Sequence, residues 1–361
     1  MRASVKQKYT EDCAVFEKMI IQDARFFEPY KDELYGLFRA LGKEHEWSDN
    51  PRDMLEYLRR RWIGDDHGNA VEKDQFSNEQ IADAMPYLER MGFTKSHIPR
   101  FGQYFDQAVI VGGRMTANYR RIEFVDELVA KGMKVDKIIF WLGRRQREKG
   151  DGTDEELLNT RGRFAGFGIR RNLWVKDLMK RGVFGLRRKV KLTETDLGRI
   201  AVLKSIDSRL MPYRIDLSVL SSEDGRRADL LDRIERLPEE YVTDYFFKTD
   251  EGAEIILLNA SSVDRGIGND GKPRTARHTT ESCTIEWLER HNPPKNAKVL
   301  YVTGNPHSLR TAQDTYGVLR RYKRDDIELV LAGTGPADNI AIQTYLGEIA
   351  RLIDNDVKRN Y

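Results

Sequence analysis

Residues Lys298 to Thr311 read K-V-L-Y-V-T-G-N-P-H-S-L-R-T. The apolar, β-branched run Val299–Val302 predicts a buried strand, and the residues from Thr303 to Pro306 predict a break after it. A helical pattern begins at His307. In an α/β sheet such a junction lies at the carboxyl end of a strand, where ligands usually bind and where the first N–H groups of the helix can meet an anion. The stretch therefore predicts an α/β fold and marks His307 and Arg310 as site candidates, although an ordinary βα connection is the competing interpretation.

The composition narrows the class of protein. The 361 residues are enough for two or three domains, or for one large α/β core with additions. Lys and Arg number 61 against 58 Asp and Glu, so the net charge of +3 creates no global field that demands nucleic acid or an anionic membrane. Cys13 and Cys283 are too few for a disulfide scaffold and suit a reducing compartment. Because no apolar run reaches the length of a membrane span and no signal-peptide pattern is present, we predict a cytoplasmic protein without a membrane partner.

Residues 1–103 predict a helical N-terminal subdomain. Apolar residues recur there at spacings of three and four, which is typical of amphipathic helices. The segments concerned are 14–24, 29–41, 51–62 and 78–91. Asn50 before Pro51, and Ser77 or Asn78 before Glu79, have the residue types that favour helix starts.

From residue 104 strand and helix patterns alternate. Gln107–Val111 and Lys137–Leu142 are strand candidates, and a helix between them would complete a βαβ unit with parallel strands. Further strands are predicted at Glu254–Leu258 and Ile327–Ala332, on either side of the Lys298 stretch. We therefore predict an α/β protein with a Rossmann-like three-layer parallel sheet.

The predicted sheet domain comprises residues 104–145 and 252–361. A polar, glycine-rich loop from Asp264 to Arg277 precedes a helix that Thr279 or Thr280 would cap. A last helix is expected from Asn339 to about Ile353, followed by a frayed charged tail.

Residues 146–251 are predicted to be a mostly helical, basic insertion. Between 161 and 191 Asp177 is the only acid among many Arg and Lys residues, and aromatic residues are interleaved with them. This combination is typical of nucleic-acid binding, because aromatic side chains stack on bases and basic side chains neutralise phosphates. The competing interpretation is a helical cap whose charged residues are solvated. For the nucleic-acid alternative the candidate residues are Arg170, Arg171, Arg187, Arg188 and Lys189.

Three motifs of the predicted sheet domain resemble the YdcF/SanA/ElyC family. They are V-I-V-G-G-R at Val109–Arg114, H-T-T-E-S at His278–Ser282 and V-T-G-N-P-H-S-L-R-T-A at Val302–Ala312. The positions that match the family pattern are Gly112, Gly113, Thr280, Glu281, Thr303, His307 and Arg310. The chain departs from that pattern in Leu142-Gly143-Arg144 after the second strand, in Ser282 and in the long insertion. The resemblance implies a Rossmann-like fold and, since YdcF-like members are reported to bind S-adenosylmethionine, a related ligand.

The predicted function is binding of a phosphate-bearing or nucleotide-like small molecule at the strand carboxyl ends, in a protein that is a candidate hydrolase or transferase. S-adenosylmethionine and a nucleotide are the candidate cofactors. No metal site is predicted, because no Cys/His zinc-ligand spacing is present and because Asp264, Asp270 and Glu281, which could hold a hard divalent metal, are more typical of a solvated loop. His307 would act as general acid or base and Glu281 would orient it or activate water, with His278 as a further catalytic candidate. The predicted ligand-binding residues are Gly112, Gly113, Arg114, Thr280, Thr303, Asn305 and Arg310. The sequence leaves the reaction and the oligomeric state open.

Overall fold

The computed structural model describes residues 20–63, 74–113, 115–143, 244–248, 254–260, 263–267, 273–276, 279–336 and 340–361. The chain divides into two compact units. The first unit comprises Met1–Ile98, Thr303–Tyr322 and Leu331–Tyr361, and the second comprises Pro99–Val302 and Lys323–Val330. The C-terminal helices thus belong to the unit that contains the N-terminal helices, whereas the sequence groups them with the sheet.

A six-stranded sheet is the main β-structure of the described residues. Its strands are β1 (Tyr104–Val111), β2 (Lys134–Gly143), β3 (Asp244–Lys248), β4 (Glu254–Ala260), β7 (Lys298–Gly304) and β8 (Glu328–Thr334). The strand order is β3-β4-β2-β1-β7-β8, in which five strands run parallel and the edge strand β3 pairs antiparallel with β4. Helices flank this sheet, and the predicted Rossmann-like three-layer α/β fold is confirmed.

The order of the parallel strands fixes where a ligand site is expected. Numbered among themselves along the chain, the five parallel strands lie in the order third, second, first, fourth, fifth. The order therefore reverses between β1 and β7, whose register pairs Ile110 with Val302. In doubly wound sheets ligands bind outside the carboxyl ends of the strands at this point of reversal.

Apolar residues that are buried on both faces explain why β1 and β7 are central. Val109 and Leu300 are fully buried, as expected for parallel strands covered on both sides. Trp141 of β2 packs against Tyr301 and against Trp287, with ring centroids 5.8 and 5.7 Å apart. The indole N–H of Trp287 donates a 2.8 Å hydrogen bond to Oε1 of Gln107, so the polar side chain inside β1 is satisfied.

Three short strands were not predicted. β3 lies inside the span 146–251 that the sequence assigns to an insertion, yet it extends the sheet beside β4. β5 (Val263–Ile267) and β6 (Pro273–Ala276) form a separate antiparallel pair inside the predicted polar loop. Such short strands carry too few apolar residues for a period of two to be recognised, and they form because a neighbouring strand supplies hydrogen-bond partners.

The N-terminal helices confirm the predicted starts. A 3₁₀ turn (Glu28–Tyr30) leads into α1 (Lys31–Ala40), α2 (Pro51–Leu58) continues as a π-helical turn (Arg59–Ile63), and α3 spans Asn78–Arg90. The side chain of Asn50 accepts a hydrogen bond from the N–H of Arg52 at the start of α2. Ser77 and Gln80 form a reciprocal capping box at the start of α3, in which each side chain satisfies a free N–H of the first turn.

Four further helices follow in the chain. They are α4 (Met115–Ala130), α5 (Thr280–His291), α6 (Ser308–Arg321) and α7 (Ile342–Asn360). The expected fraying after Ile353 was wrong, because α7 continues to Asn360. Its Asp356 is 2 % exposed and accepts hydrogen bonds from the N–H groups of Phe26 and Phe27, which holds the tail in place. None of the helices within the described ranges combines the length and the hydropathy that crossing a bilayer requires.

Candidate functional site

The junction between β7 and α6 has the predicted form. β7 ends at Gly304, and His307 is the N-cap residue of α6 with helical backbone angles (φ −83°, ψ −10°). The imidazole makes no capping hydrogen bond, and 41 % of the side chain is exposed. The His307 side chain is therefore available for a role other than capping.

Asn305 ties this junction to a loop of the same unit. Its Nδ2 donates to the carbonyl of Gly92 at 3.0 Å and also to the carbonyl of Lys95, while its Oδ1 accepts from the hydroxyl of Ser308. Asn305 is 5 % exposed. Both ends of the amide are thus engaged within the protein, and the contact that the structure gives this predicted ligand residue is structural.

Thr303 lies one residue before the end of β7. Its side chain is fully buried, and its Oγ1 has no hydrogen-bond partner among the residues that the structure describes. A buried hydroxyl without a partner costs free energy, so Thr303 is an anomaly of the junction. The sequence alone could not have shown whether this hydroxyl is satisfied.

One close neighbour of the His307 imidazole, Glu348, was not predicted. Oε1 of Glu348, on α7, lies 3.1 Å from Nδ1 of His307, although the two groups are not aligned as a linear hydrogen bond. The Glu348 side chain is only 3 % exposed, and Nδ1 of His307 is shielded from solvent. The buried carboxylate of Glu348 therefore lies next to the shielded Nδ1 of a partly exposed histidine.

Arg310 holds the same carboxylate in place. Its Nε donates to Oε2 of Glu348 at 2.5 Å, and its Nη1 donates to Asp314 at 2.8 Å. Arg351 donates to Oε1 of Glu348 at 3.1 Å. We call the five residues His307, Arg310, Asp314, Glu348 and Arg351 the Glu348 cluster. Because two N–H groups of Arg310 already donate to protein carboxylates, its predicted role in ligand binding would use only the remaining N–H groups of the guanidinium.

Burial and charge set the ionisation of the cluster. Burial alone would raise the pKa of Glu348, but the charge of Arg310, the close contact with His307 and the charge of Arg351 together lower it to about 2. For Asp314 burial prevails, and its pKa is raised although Arg310 and Asn355 favour the ionised form. The pKa of Arg310 is raised because the attraction of Glu348 and Asp314 outweighs its desolvation. Glu348 is thus a fixed anion in the cluster.

The loop after β1 belongs to the second unit. Nη1 of Arg121, on α4, donates to the carbonyls of Val111 and Gly112, the latter at 2.8 Å. A Cβ on Gly113 would come within 3.1 Å of the same nitrogen, so the close approach of Arg121 favours glycine there. Arg121 is a functional candidate that the sequence reading missed, because a single Arg on a helix carries no local signal.

Asn118 is the most unusual polar residue near this loop. It lies in the first turns of α4 and is fully buried, and neither Oδ1 nor Nδ2 has a hydrogen-bond partner in the described ranges. Most buried amides in folded proteins are satisfied, so Asn118 is an exception and becomes a candidate for contact with a ligand.

The start of α5 has ordinary capping geometry. Thr279 is the N-cap and forms a reciprocal box with Ser282, which confirms one of the two predicted caps. Thr280 is the first helical residue, and its carbonyl accepts from the hydroxyl of Thr284 at 2.7 Å. Glu281 is exposed in the first turn, where a negative charge favours the helix dipole.

The predicted site residues fall into two groups. Thr303, Asn305, His307 and Arg310 lie in the first unit, and Gly112, Gly113, Thr280 and Glu281 lie in the second. Arg114, His278 and the basic cluster 161–191, with Arg170, Arg171, Arg187, Arg188 and Lys189, lie outside the described residues. The nucleic-acid alternative therefore stays a prediction.

Comparison of the chain with protein-family models, with curated proteins and with solved structures finds no match. The resemblance to the YdcF/SanA/ElyC family accordingly stays a prediction that depends on three motifs. Two of those motifs lie at strand ends of the sheet, namely Val109–Arg114 and Val302–Ala312. The argument for function therefore depends on the geometry of the chain itself.

Proposed function

We propose that this protein binds a phosphate-bearing or nucleotide-like small molecule outside the carboxyl ends of its parallel strands. The observation that carries the proposal is the reversal of strand order between β1 and β7. Ligands of doubly wound α/β proteins bind at such a reversal because the flanking connections diverge to opposite faces and leave the strand ends open.

The β1 side supports an anionic ligand. Gly112 and Gly113 follow the strand, and α4 begins at Met115, so the free N–H groups of a 16-residue helix stand just beyond the glycines. Arg121 adds a positive charge beside this loop. The unpartnered amide of Asn118 offers one donor and one acceptor, which is the pattern that a nucleobase edge or a carboxamide can meet.

Within the first unit, the junction after β7 supports proton transfer. His307 follows the strand with an exposed imidazole edge, and histidine is the side chain best suited to acid–base work near neutral pH. A hydrolase or a transferase acting on a phosphate-bearing compound is the reaction class that we propose. S-adenosylmethionine and nucleotides are the ligands to test first, since the family resemblance suggests the former and the loop chemistry the latter.

A thermal-shift screen of the full chain tests the proposal. Nucleotides, S-adenosylmethionine, sugar phosphates and inorganic phosphate are the probes, and a ligand at 100 times its Kd should stabilise the protein by about 2.7 kcal/mol. Asn118→Leu should leave the unliganded protein as stable as the wild type or more so, because it removes a buried unsatisfied amide. The same substitution should reduce the ligand-induced shift.

Two outcomes would count against the site. One is a screen in which none of the four probe classes raises the Tm. The other is an Asn118→Leu variant that keeps the full shift, which would remove α4 from the proposed site. Gln103→Leu serves as the matched control, because Gln103 also has a buried side-chain oxygen without a partner but lies before β1, away from its carboxyl end.

A further inference from the structure

The two ring nitrogens of His307 meet different surroundings. Nδ1 is shielded from solvent and lies 3.1 Å from Oε1 of Glu348. The side chain as a whole is 41 % exposed although Nδ1 is shielded, so the exposed atoms lie on the other side of the ring, which carries Nε2. One nitrogen therefore faces a carboxylate and the other faces outward.

We infer that Glu348 is the positioning residue of His307, and that the two form a histidine–carboxylate dyad whose Nε2 exchanges protons with the bound ligand. The carboxylate would hold the hydrogen on Nδ1 and leave a lone pair on Nε2, as a third group does wherever it orients a catalytic base. The identity of the ligand rests on the proposed function, whereas the dyad is a property of the unliganded protein.

Burial argues for the Nδ1–H tautomer. A shielded ring nitrogen without a hydrogen-bond partner costs free energy, and an ionised carboxylate can only accept a hydrogen bond. Placing the hydrogen on Nδ1 turns the 3.1 Å contact into an attraction, whereas a lone pair there would face a negative oxygen. In the Nε2–H tautomer, a lone pair of Nδ1 would face the negative Oε1 of Glu348, which is unfavourable.

The remaining members of the Glu348 cluster keep the carboxylate ionised and fixed. Arg310 of α6 takes Oε2, and Arg351 of α7 takes Oε1 together with His307. Asp314 of α6 accepts a second hydrogen bond from Arg310, so the guanidinium is shared between Asp314 and Glu348. Glu348 cannot rotate away from His307 without breaking two charge-assisted hydrogen bonds, so the imidazole has a rigid support.

A salt-bridge network that only packs α6 against α7 is the competing explanation. It accounts for Arg310, Asp314 and Arg351, but it does not account for His307. Ser, Thr, Asp or Asn would be the favoured residue at an N-cap, and His307 makes no capping bond. Its position at the carboxyl end of β7, with an exposed Nε2, is where a proton acceptor for a bound hydroxyl or water would have to stand.

The tautomer of His307 decides between these explanations. Protein labelled with ¹⁵N-histidine, studied by long-range ¹H–¹⁵N NMR in alkaline buffer where the ring carries one hydrogen, reports which nitrogen is protonated. His307→Gln identifies the signal among the six histidines. The dyad predicts the Nδ1–H form in the wild type, whereas the Nε2–H form would overturn it.

Glu348→Met, which cannot accept a hydrogen bond, should shift His307 to the Nε2–H form, and Glu328→Met, at an exposed position, should not. An unchanged tautomer in a folded Glu348→Met protein would also overturn the dyad. If that variant does not fold, the wild-type spectrum still decides. A thermal-shift screen without hits would refute the proposed function and leave this reading of the tautomer intact, so the two failures can be told apart.

Discussion

Nε of Arg310 donates a 2.5 Å hydrogen bond to Oε2 of Glu348, and this bond joins α6 to α7. The carboxylate that accepts it is 3 % exposed, yet its pKa is lowered to about 2. A buried carboxylate remains ionised only when its partners offset the loss of hydration, and here Arg310, His307 and Arg351 do so. The packing of the two helices and the orientation of His307 therefore depend on the same charge.

Glu348→Gln should destabilise the protein strongly. The substitution replaces the buried carboxylate that faces Arg310, His307 and Arg351 with a neutral amide, and removing one partner of a buried ion pair costs about 3–5 kcal/mol. Chemical denaturation at neutral pH measures the loss. Glu328→Gln is the matched control, because Glu328 is 61 % exposed and meets Lys298 only at 4.0 Å, so it should change the stability by less than about 1 kcal/mol. Equal losses in the two variants would contradict the role assigned to Glu348.

Acid should weaken the wild type more than the Glu348→Gln variant. The folded pKa of Glu348, about 2, lies below its ordinary value of 4.5, so the ionised group stabilises the folded state above pH 4.5 and loses this effect as the pH falls toward 2. Across that window the contribution lost is roughly 3 kcal/mol. Other carboxylates titrate in the same range, so the measurement is the difference between the two denaturation series. Parallel curves from pH 5 to pH 2 would show that Glu348 is not the group responsible.

Asp314→Asn should cost far less than Glu348→Gln, although both carboxylates bind Arg310. Burial raises the pKa of Asp314, so its ionised form is held at a cost in the folded protein, and protonation as the pH falls relieves that cost. An asparagine keeps an oxygen that can accept from Arg310. We expect a change within about 1 kcal/mol in the same denaturation assay. A loss as large as that of Glu348→Gln would mean that both negative charges are required.

The strands of the sheet could be predicted because their sequences are locally decisive. Val299–Val302 and Lys137–Leu142 are apolar runs too short for a helix and bounded by glycine, and parallel strands buried on both faces need that pattern. Helix starts were equally readable at Asn50 and Ser77, because a capping side chain acts within three residues of itself. The strands and the helix starts therefore depend on residues that are close together in the sequence.

The candidate site could be predicted only in part. His307 and Arg310 were found because they follow a strand, but their partner Glu348 lies 38 residues beyond Arg310 on another helix. The segment L-G-E-I-A-R places a charged residue, Glu348, on an apolar helix face. The pattern does not show which cationic side chain pairs with it. Asn118 escaped for a similar reason, since whether an amide is satisfied depends on packing that no local period encodes.

Gln107→Leu should leave the indole N–H of Trp287, inside the second unit, without its hydrogen-bond acceptor. The Nε1–H of fully buried Trp287 donates to Gln107 at 2.8 Å, and leaving that donor without an acceptor should cost about 1–3 kcal/mol in chemical denaturation. Adding Trp287→Phe removes the donor as well, so the double variant should lose less than the sum of the two single losses. Strict additivity in this double-mutant cycle would show that the hydrogen bond does not contribute.

Asp356→Ala should release the N-terminal part of the first unit from α7. The carboxylate accepts the N–H groups of Phe26 and Phe27 at 2.8 and 2.7 Å, and both phenylalanines are fully buried. Losing the acceptor leaves two buried donors, which should cost about 2–5 kcal/mol. Native-state hydrogen exchange should show the amides of Phe26 and Phe27 losing protection, while Lys358→Ala, at a position 60 % exposed on the same turn, leaves them protected. Unchanged protection of the two amides in Asp356→Ala would mean that the tail of α7 does not hold the chain there.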